Sequence, residues 1–367
     1  MDKTRIVCAQ ITLKILSIYA VFPEANKVLN PGKSYYLRFF AVAVVSSLVF
    51  FGSFLHLIKS TKGNPSLYSD MMFVLSLGII YVIIGVWQYK TKCLIELFKF
   101  LSDFEEFGKP INFDRDNKLY DTISICHYIY LETLVIVVLI CATYLNMDTC
   151  EKLNKEYDLS EICGMFSYVW MPFDISYFPA KQIFLTIQLF GAHFLYIVAG
   201  MSAWLVFETI QHIRVRIRHA NYLFLQAVKE RNPGKSREKF NFAVRYHSSV
   251  LSLTDRVDDV FGIHMFTHVA LTAPVIGIGV FGFLSGASLS GFLVCLGWLC
   301  GLTLNCVVGQ WLQDESLAVG IDLYQADWLH CNDELKKDIF FVIQRSRKPM
   351  CLRAVSFGVI DYQIFVA

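Results

Sequence analysis

The residues of this sequence that could do chemistry lie inside long apolar stretches. His264 and His268 are four positions apart, so a helix would place both imidazoles on one face, as in a metal site. The glutamate that a zinc protease carries between two such histidines is absent here. We therefore favour a polar contact between helices over a metal site, and we expect no metal.

Three glycines form a second apparent motif. Gly277, Gly279 and Gly282 have the spacing of a dinucleotide-binding loop, but no strand precedes them and no ribose-binding acid follows at the expected distance. Glycines also let two membrane helices approach closely, which is the interpretation that we favour. The sequence shows no nucleophile motif, phosphate loop or paired carboxylates, so we expect no enzyme activity, no cofactor and no nucleic-acid partner.

Isolated polar groups interrupt other apolar stretches. Glu132, His127 and His193 are the main cases. An ionisable group inside a membrane is costly and is a functional candidate by default. The alternative is that Glu132 lies near a water-accessible vestibule and hydrogen-bonds a neighbour, and the sequence leaves both interpretations open.

The composition indicates that membrane helices position these groups. Hydrophobic residues make up 55% of the 367 residues and charged residues 17%, with a mean hydropathy of +0.47. Soluble domains have about a quarter charged residues. The uncharged stretch 260–313 would reach roughly 80 Å as one helix, against a hydrocarbon core of about 30 Å, so it must cross twice. We place its turn at 285–291.

The remaining uncharged runs give the other spans. We predict six membrane helices, at about 38–58, 68–89, 122–145, 182–208, 260–284 and 289–312, and a shorter apolar tail over 354–367. Residues 1–37 form a cytoplasmic amphipathic segment, with 7–22 as a helix on the inner membrane surface. The cytoplasmic loop 211–258 extends the neighbouring helices, with a turn at 232–235.

The positions of the basic residues predict the orientation. Most of the 33 Lys and Arg residues fall before the first span and after the second, fourth and sixth spans. The positive-inside rule therefore places the amino terminus in the cytoplasm. A G-protein-coupled receptor has the opposite orientation. A secondary transporter would show related halves with broken helices, and Pro274 is the only clear proline break that we find in a span.

Two of the 11 cysteines fall in a predicted outer loop. Cys150 and Cys163 lie between residues 146 and 180, on the oxidising side of the membrane, where a disulfide is possible. Two free thiols are the alternative, and the sequence does not decide between them.

The segment after the sixth span carries a specific pattern. It reads Glu315-Ser316, then Tyr324, Trp328, Lys337 and Ile343, then Gln344-Arg345-Ser346-Arg347-Lys348-Pro349, then Leu352, Ala354 and Phe357. This pattern resembles the carboxyl-terminal signature of insect odorant receptors, with Arg347 where the signature has Gln. The sequence W-M-P-F-D at 170–174 is similar to the family's W-x-P-F-D. A gustatory receptor of the same superfamily is the alternative, but its T-Y-x-x-x-x-x-Q-F ending is absent.

The resemblance implies an all-α polytopic membrane protein with the seven-transmembrane-helix insect odorant receptor fold and a cytoplasmic amino terminus. It implies a subunit that binds a small volatile organic ligand and gates a non-selective cation channel in the lipid bilayer. Such subunits form heterotetramers with a co-receptor in the plasma membrane of sensory neuron dendrites. Because the chain lacks the co-receptor's insertion in the fourth loop, we expect a tuning subunit.

The resemblance also implies roles for particular residues. The odorant pocket would lie among the outer halves of spans two, three, four and six, where Gln188, Thr143 or His193 would select an oxygen-bearing group. The predicted ligand-binding residues are Met72, Phe73, Leu75, Ile136, Leu139, Ile140, Thr143, Gln188, Leu189, Ala192, His193, Phe292 and Leu296. A cytoplasmic anchor helix over 313–350 would pack subunits together through Tyr324, Trp328, Lys337, Arg345, Lys348 and Pro349, with both aromatic residues buried.

The last predicted element is a partial pore helix over 351–367, with Val359, Asp361 and Gln363 at the pore. The family's final helix continues well beyond the position that Phe365 matches. Fifteen helical residues would span roughly 22 Å, less than the hydrocarbon core of about 30 Å. We therefore expect a truncated isoform or an incomplete gene model.

Overall fold

The computed structural model describes residues 6–23, 32–59, 66–285, 289–355 and 357–366. Within these ranges the chain forms ten α-helices, and its one β-bridge is isolated. The helices are α1 (Gln10–Ile18), α2 (Lys33–Lys59), α3 (Ser66–Leu101), α4 (Phe113–Tyr157), α5 (Ala180–Lys229), α6 (Pro233–Leu251), α7 (Leu253–Leu284), α8 (Leu289–Gln325), α9 (Asp333–Ser346) and α10 (Tyr362–Val366).

The helices define an all-α polytopic membrane protein. Six helical stretches of the described chain are long and apolar enough to cross a membrane: α2, α3, α4, α5, α6 together with α7, and α8. Helices α4 and α5 contain 45 and 50 residues, so each reaches roughly 70 Å and extends well past the hydrocarbon core. Of the predicted turn at 285–291, Ser285 follows α7, residues 286–288 lie outside the described ranges, and residues 289–291 already belong to α8.

Helix α5 is central to the bundle and packs against α2, α4, α6 and α8. Two glycines permit close approach to its neighbours. A Cβ added at Gly200 would lie 2.5 Å from Cδ2 of Leu131 on α4, and one added at Gly191 would lie 2.7 Å from Cγ2 of Val49 on α2. Larger residues at these positions would push the helices apart.

The sequence predicts a helix on the inner membrane surface at the position of α1. In the structure α1 also packs against the helix bundle. Its residues Leu13 and Leu16 are buried, and it contacts α4 and α5. The Thr12 hydroxyl donates to the buried carboxyl group of Glu208 on α5, at 2.5 Å. Its apolar face therefore packs against protein, because α5 offers both apolar surface and a polar partner.

The segment between α5 and α6 folds at the residues that the sequence predicted. Helix α6 begins at Pro233, and the Asn232 side chain caps it by accepting a hydrogen bond from the backbone N–H of Lys235 at 3.2 Å. Proline is tolerated in the first helical turn because no intrahelical bond needs its missing N–H. The two flanking helices are therefore long extensions of membrane spans.

The predicted anchor helix over 313–350 is wrong as a single element. Helix α8 continues to Gln325, an irregular segment covers 326–332, and α9 follows. The break is explained by Asn332, whose side chain accepts a hydrogen bond from the Leu335 N–H at 2.9 Å and so begins a new helix.

The predicted partial pore helix over 351–367 is also wrong for most of its length. Among its described residues only α10 is helical. Val355 and Gly358 have φ angles of 49° and 135°, and Arg353 pairs with Val359 in the isolated bridge. Positive φ angles are incompatible with an α-helix, so this segment forms a tight turn before α10.

Candidate functional site

An apolar cavity lies between α4, α5, α7 and α8. Its empty volume is about 670 Å³, which includes the space at its mouth. Most of the lining is aliphatic or glycine. The lining residues are Leu131, Leu134, Val135 and Val138 of α4; Tyr196, Ala199, Gly200 and Ala203 of α5; His268 of α7; and Leu293, Val294, Gly297, Trp298 and Gly301 of α8.

The cavity exists because small residues face it from two helices. A Cβ added at Gly297 would meet no other atom within 4 Å, whereas one added at Gly301 would lie 3.1 Å from Nε2 of His268. Ala199 and Ala203 supply two further small side chains on α5. The space is therefore left by missing side-chain volume rather than by separated helices.

Few polar groups reach this cavity. The Trp298 indole N–H donates to the Ser76 hydroxyl at 2.7 Å, and the Tyr196 hydroxyl also lies beside Ser76. His268 is 4% exposed, and its Nδ1 lies 3.2 Å from the Thr272 hydroxyl. A mostly apolar pocket with a few fixed polar groups is typical of small-molecule binding sites.

The predicted ligand residue Gln188 holds the outer loop. Its side-chain oxygen accepts a hydrogen bond from the Phe166 N–H at 3.2 Å, and its amide nitrogen donates to the Ser167 carbonyl at 3.0 Å. Gln188 is 2% exposed. Both ends of its amide are therefore bonded to protein.

The two other predicted polar selectors also have protein partners. The Thr143 hydroxyl donates to the carbonyl of Leu139 in the preceding turn of α4, at 2.9 Å. The His193 Nε2 lies 2.6 Å from Oε2 of Glu132. These groups stabilise helices and helix contacts, so they offer a ligand little hydrogen-bonding capacity.

None of the thirteen predicted ligand residues lines the cavity between α4, α5, α7 and α8. Met72, Phe73, Leu139 and Ala192 are buried in the core, Leu75, Leu189 and Phe292 are half-buried, and Ile136, Ile140 and Leu296 are exposed. Their roles in ligand binding stay predictions. The sequence signal for the cavity is the set of small residues on α5 and α8, which are Ala199, Gly200, Ala203, Gly297 and Gly301.

The outer end of the bundle is held by polar and covalent links. His56 bridges two acids, with its Nδ1 2.7 Å from Oδ2 of Asp70 and its Nε2 2.9 Å from Oε2 of Glu161. Tyr168 stacks on His56 with ring centroids 5.6 Å apart, and burial raises the pKa of Tyr168 to about 12. These contacts fix the outer loop over the ends of α2 and α3.

Cys150 and Cys163 are joined by a disulfide, with their Cα atoms 5.4 Å apart. Asn154 reinforces this link, because its side-chain nitrogen donates to the Glu161 carbonyl at 2.8 Å. The small pocket beside the disulfide includes Phe73. The end of α4 and the outer loop therefore form one linked unit.

A wider polar vestibule opens at the same end of the bundle. Its empty volume is about 940 Å³, and its lining includes His56, Glu161, Asp174 and Trp170. The Lys59 ammonium lies 3.2 Å from the centroid of the Trp170 ring. Trp170 and Asp174 belong to the outer-loop motif W-M-P-F-D.

The predicted anchor residues lie around the break between α8 and α9. Tyr324 is 68% exposed in the single chain rather than buried, Trp328 is half-buried, and its indole N–H donates to the Tyr324 carbonyl at 3.2 Å. Arg345 donates to the Lys348 carbonyl at 3.1 Å. Lys337 and Lys348 are exposed, and Pro349 is half-buried.

The first two residues of the carboxyl-terminal pattern have clear structural roles. Glu315 pairs with Arg214 of α5, with Oε2 and Nη2 2.9 Å apart. The Ser316 hydroxyl accepts a hydrogen bond from the Met350 N–H at 2.9 Å. Both contacts tie the end of α8 to its surroundings.

The predicted pore residues lie in and beside the terminal turn. Asp361 caps α10, because its Oδ1 accepts hydrogen bonds from the N–H groups of Gln363 and Ile364 at 2.9 and 3.1 Å. Val359 is half-buried and Gln363 is exposed. Asp361 therefore stabilises a short helix, and a position in a pore stays a prediction.

The helices define a multi-pass membrane protein with an apolar cavity among its spans, and the comparisons give its family. The model of the 7tm odorant receptor family matches residues 71–367. This chain therefore belongs to the 7tm odorant receptor family.

Its relatives include odorant receptors of Drosophila melanogaster. Odorant receptor 67a is 31% identical over 154 residues, which cover 41% of this chain and only 38% of that receptor. Odorant receptor 85c is 23% identical over 340 residues, which cover 88% of this chain and 85% of that receptor. The matched region thus spans well under half of the first relative and most of the second.

A solved structure has the same fold. The insect olfactory receptor OR5 from Machilis hrabei matches with a TM-score of 0.76 at 14% identity, covering 97% of this chain and 92% of that chain. The same receptor in complex with eugenol matches with a TM-score of 0.72 at 13% identity, covering 96% and 93%. The predicted insect odorant receptor fold is confirmed.

Proposed function

We propose that this chain is the odorant-binding subunit of a ligand-gated cation channel, and that a small volatile molecule binds in the cavity between α4, α5, α7 and α8. The observation that carries the proposal is the cavity itself, which is lined mainly by Leu, Val, Ala and Gly within a chain of the odorant receptor family. Burying each methylene of a ligand there contributes roughly 0.8 kcal/mol. Eugenol, the small molecule bound to the related OR5 structure, fits this class of ligand.

Helix α8 supports a route from the cavity to the carboxyl-terminal segment. It lines the cavity through Gly297 and Trp298. Three turns further along, Gly309 closely approaches the carbonyl oxygen of Ile360, just before α10. A ligand opens a channel only when it binds the open state more tightly than the closed state. A ligand that prefers one position of α8 would therefore also bias the terminal segment.

The inner end of the single chain supports assembly with other subunits. Tyr324, Leu329, Phe340 and Phe341 are each at least 61% exposed around α8 and α9. A cluster of exposed large apolar side chains is typical of an interaction surface. We propose that this surface packs against co-receptor subunits in a heterotetramer, located in the plasma membrane of sensory dendrites.

The test is co-expression of this chain with an odorant receptor co-receptor, followed by recording of membrane current during exposure to a panel of volatiles. The expected result is an inward cation current that requires both subunits and at least one volatile. Cells that express the co-receptor alone are the control. A chain that reaches the cell surface with the co-receptor but gives no current beyond that control would contradict the proposal.

A further inference from the structure

His268 is the polar side chain that the cavity leaves available to a ligand. The Trp298 indole N–H is bonded to the Ser76 hydroxyl. The Tyr196 hydroxyl is buried and not accessible from the cavity, and it has no hydrogen-bond partner among the described residues. His268 has a protein hydrogen bond at Nδ1, through Thr272. Within the described part of the chain no hydrogen bond to its Nε2 is found. The cavity therefore presents one ring nitrogen in an otherwise apolar lining.

The position of Gly301 keeps this nitrogen accessible. Gly301 is itself a lining residue, and a Cβ added there would lie 3.1 Å from the His268 Nε2. Any larger residue at this position would cover the nitrogen. The missing side chain thus leaves room for a ligand atom beside Nε2.

The surroundings of Nδ1 indicate which nitrogen carries the proton. Two oxygens lie near this side of the ring, the Thr272 hydroxyl at 3.2 Å and the backbone carbonyl of His268. A carbonyl can only accept a hydrogen bond, and a hydroxyl can also accept. The carbonyl therefore favours the proton on Nδ1, and the Thr272 hydroxyl can accept the same N–H. A neutral imidazole has one donor and one acceptor, so Nε2 is then the acceptor.

Resting on the proposed function, we propose that His268 selects ligands with a hydroxyl group, small alcohols or phenols, by accepting the ligand's O–H at Nε2 beside Gly301. The rest of the ligand lies against the aliphatic lining. A ketone or methyl ether of the same skeleton lacks the donor and places its oxygen lone pairs against that of Nε2. The expected preference for the alcohol is about three- to tenfold, the factor that one hydrogen bond supplies.

Two amide substitutions test the assignment to Nε2. The side chain of His268→Gln reaches the former position of Nε2, whereas that of His268→Asn reaches only the former position of Nδ1. The measured quantity is the ratio of half-maximal concentrations for a methyl ether and its parent alcohol, recorded with the co-receptor. We expect His268→Gln to retain the preference for the alcohol and His268→Asn to lose it.

His264 provides the matched control. Its ring centroid lies 6.2 Å from that of His268, and it is equally buried but does not line the cavity. His264→Asn is expected to change the amount of folded protein and leave the ratio unchanged. A ratio that is unchanged in His268→Asn, or that favours ketones or ethers in the unaltered receptor, overturns the inference.

The failure of the proposed function would look different. It would appear as the absence of current with every volatile, including the hydrocarbon of the same skeleton. In that event the full chain, purified in detergent, is tested for binding through the fluorescence of its tryptophans, since Trp298 lines the cavity. Tighter binding of the alcohol than of its methyl ether, lost in His268→Asn, supports the inference. Equal binding overturns it.

Discussion

Glu132 of α4 and His193 of α5 face each other with the carboxylate Oε2 2.6 Å from the imidazole Nε2. The other carboxylate oxygen accepts a hydrogen bond from the Tyr19 hydroxyl at 2.5 Å, and the Tyr128 hydroxyl lies 3.2 Å from that of Tyr19. This cluster joins the segment after α1 to two membrane spans. Of the two interpretations that the sequence left open for Glu132, the structure favours a polar contact with neighbours.

The first prediction concerns Glu132. Glu132→Leu removes the acceptor for both Tyr19 and His193, and it is expected to lower the free energy of unfolding by about 1 to 3 kcal/mol, because partly buried donors lose their partner. Glu132→Gln keeps one acceptor oxygen and is expected to lose less. The measurement is thermal unfolding of the purified chain in detergent. Equal melting temperatures for Glu132→Leu and the unaltered chain would show that the cluster contributes nothing to stability.

The second prediction concerns the volume of the cavity. Gly297→Val places two methyl groups into open space, since a Cβ there meets no atom within 4 Å. We expect weaker responses to large odorants, by about tenfold for a ligand that loses one or two buried methylenes, and unchanged responses to the smallest odorants. Concentration–response curves for a homologous series provide the measurement.

Gly277→Val is the matched control for that series. A Cβ at Gly277 also meets no atom within 4 Å, but Gly277 does not line the cavity. It is expected to leave the size preference unchanged. If both valine variants shift the curves alike, the cavity does not bind the ligand.

The membrane spans could be predicted because each depends on a continuous run of uncharged, apolar residues, which is visible in the sequence. The sequence does not reveal the protein partners of Gln188 and His193, because these partners lie 21 and 61 positions away in the chain. In the structure Ser167 binds the amide of Gln188, and Glu132 binds the imidazole of His193. From the sequence alone the side chains of Gln188 and His193 look free to bind a ligand. Likewise, the turn at Val355 and Gly358 lies in a segment that packs against α7 and α8. The apolar character of this segment does not predict such a turn.

The third prediction concerns the disulfide. Cys150 and Cys163 are separated by 13 positions, and a cross-link that closes a loop of this size contributes about 3 kcal/mol to stability in the chain-entropy model. The double change to serine, or reduction of the unaltered chain, is expected to lower the melting temperature. Cys93→Ser, at a half-buried free thiol, serves as the control. A melting temperature that does not respond to reductant would contradict this prediction.

The fourth prediction tests the orientation with single substitutions. Asp158→Asn creates the glycosylation acceptor Asn-Leu-Ser with Leu159 and Ser160, just after α4. Asp158 and Ser160 are exposed, and Asp158 has a φ of 52°, which asparagine adopts readily. If the amino terminus is cytoplasmic, this loop faces the lumen of the secretory pathway. We therefore expect a gain in apparent mass that a glycosidase removes.

The opposite side is tested with Glu334→Ser, which creates the acceptor Asn-Asp-Ser with Asn332 and Asp333 at the start of α9. Asn332 and Glu334 are exposed, as Asp158 and Ser160 are. The basic residues of this segment predict that it stays in the cytoplasm, where the glycosylation enzyme is absent. We expect no gain in mass. Glycosylation at Asn332 without glycosylation at position 158 would indicate the opposite orientation, which is that of G-protein-coupled receptors.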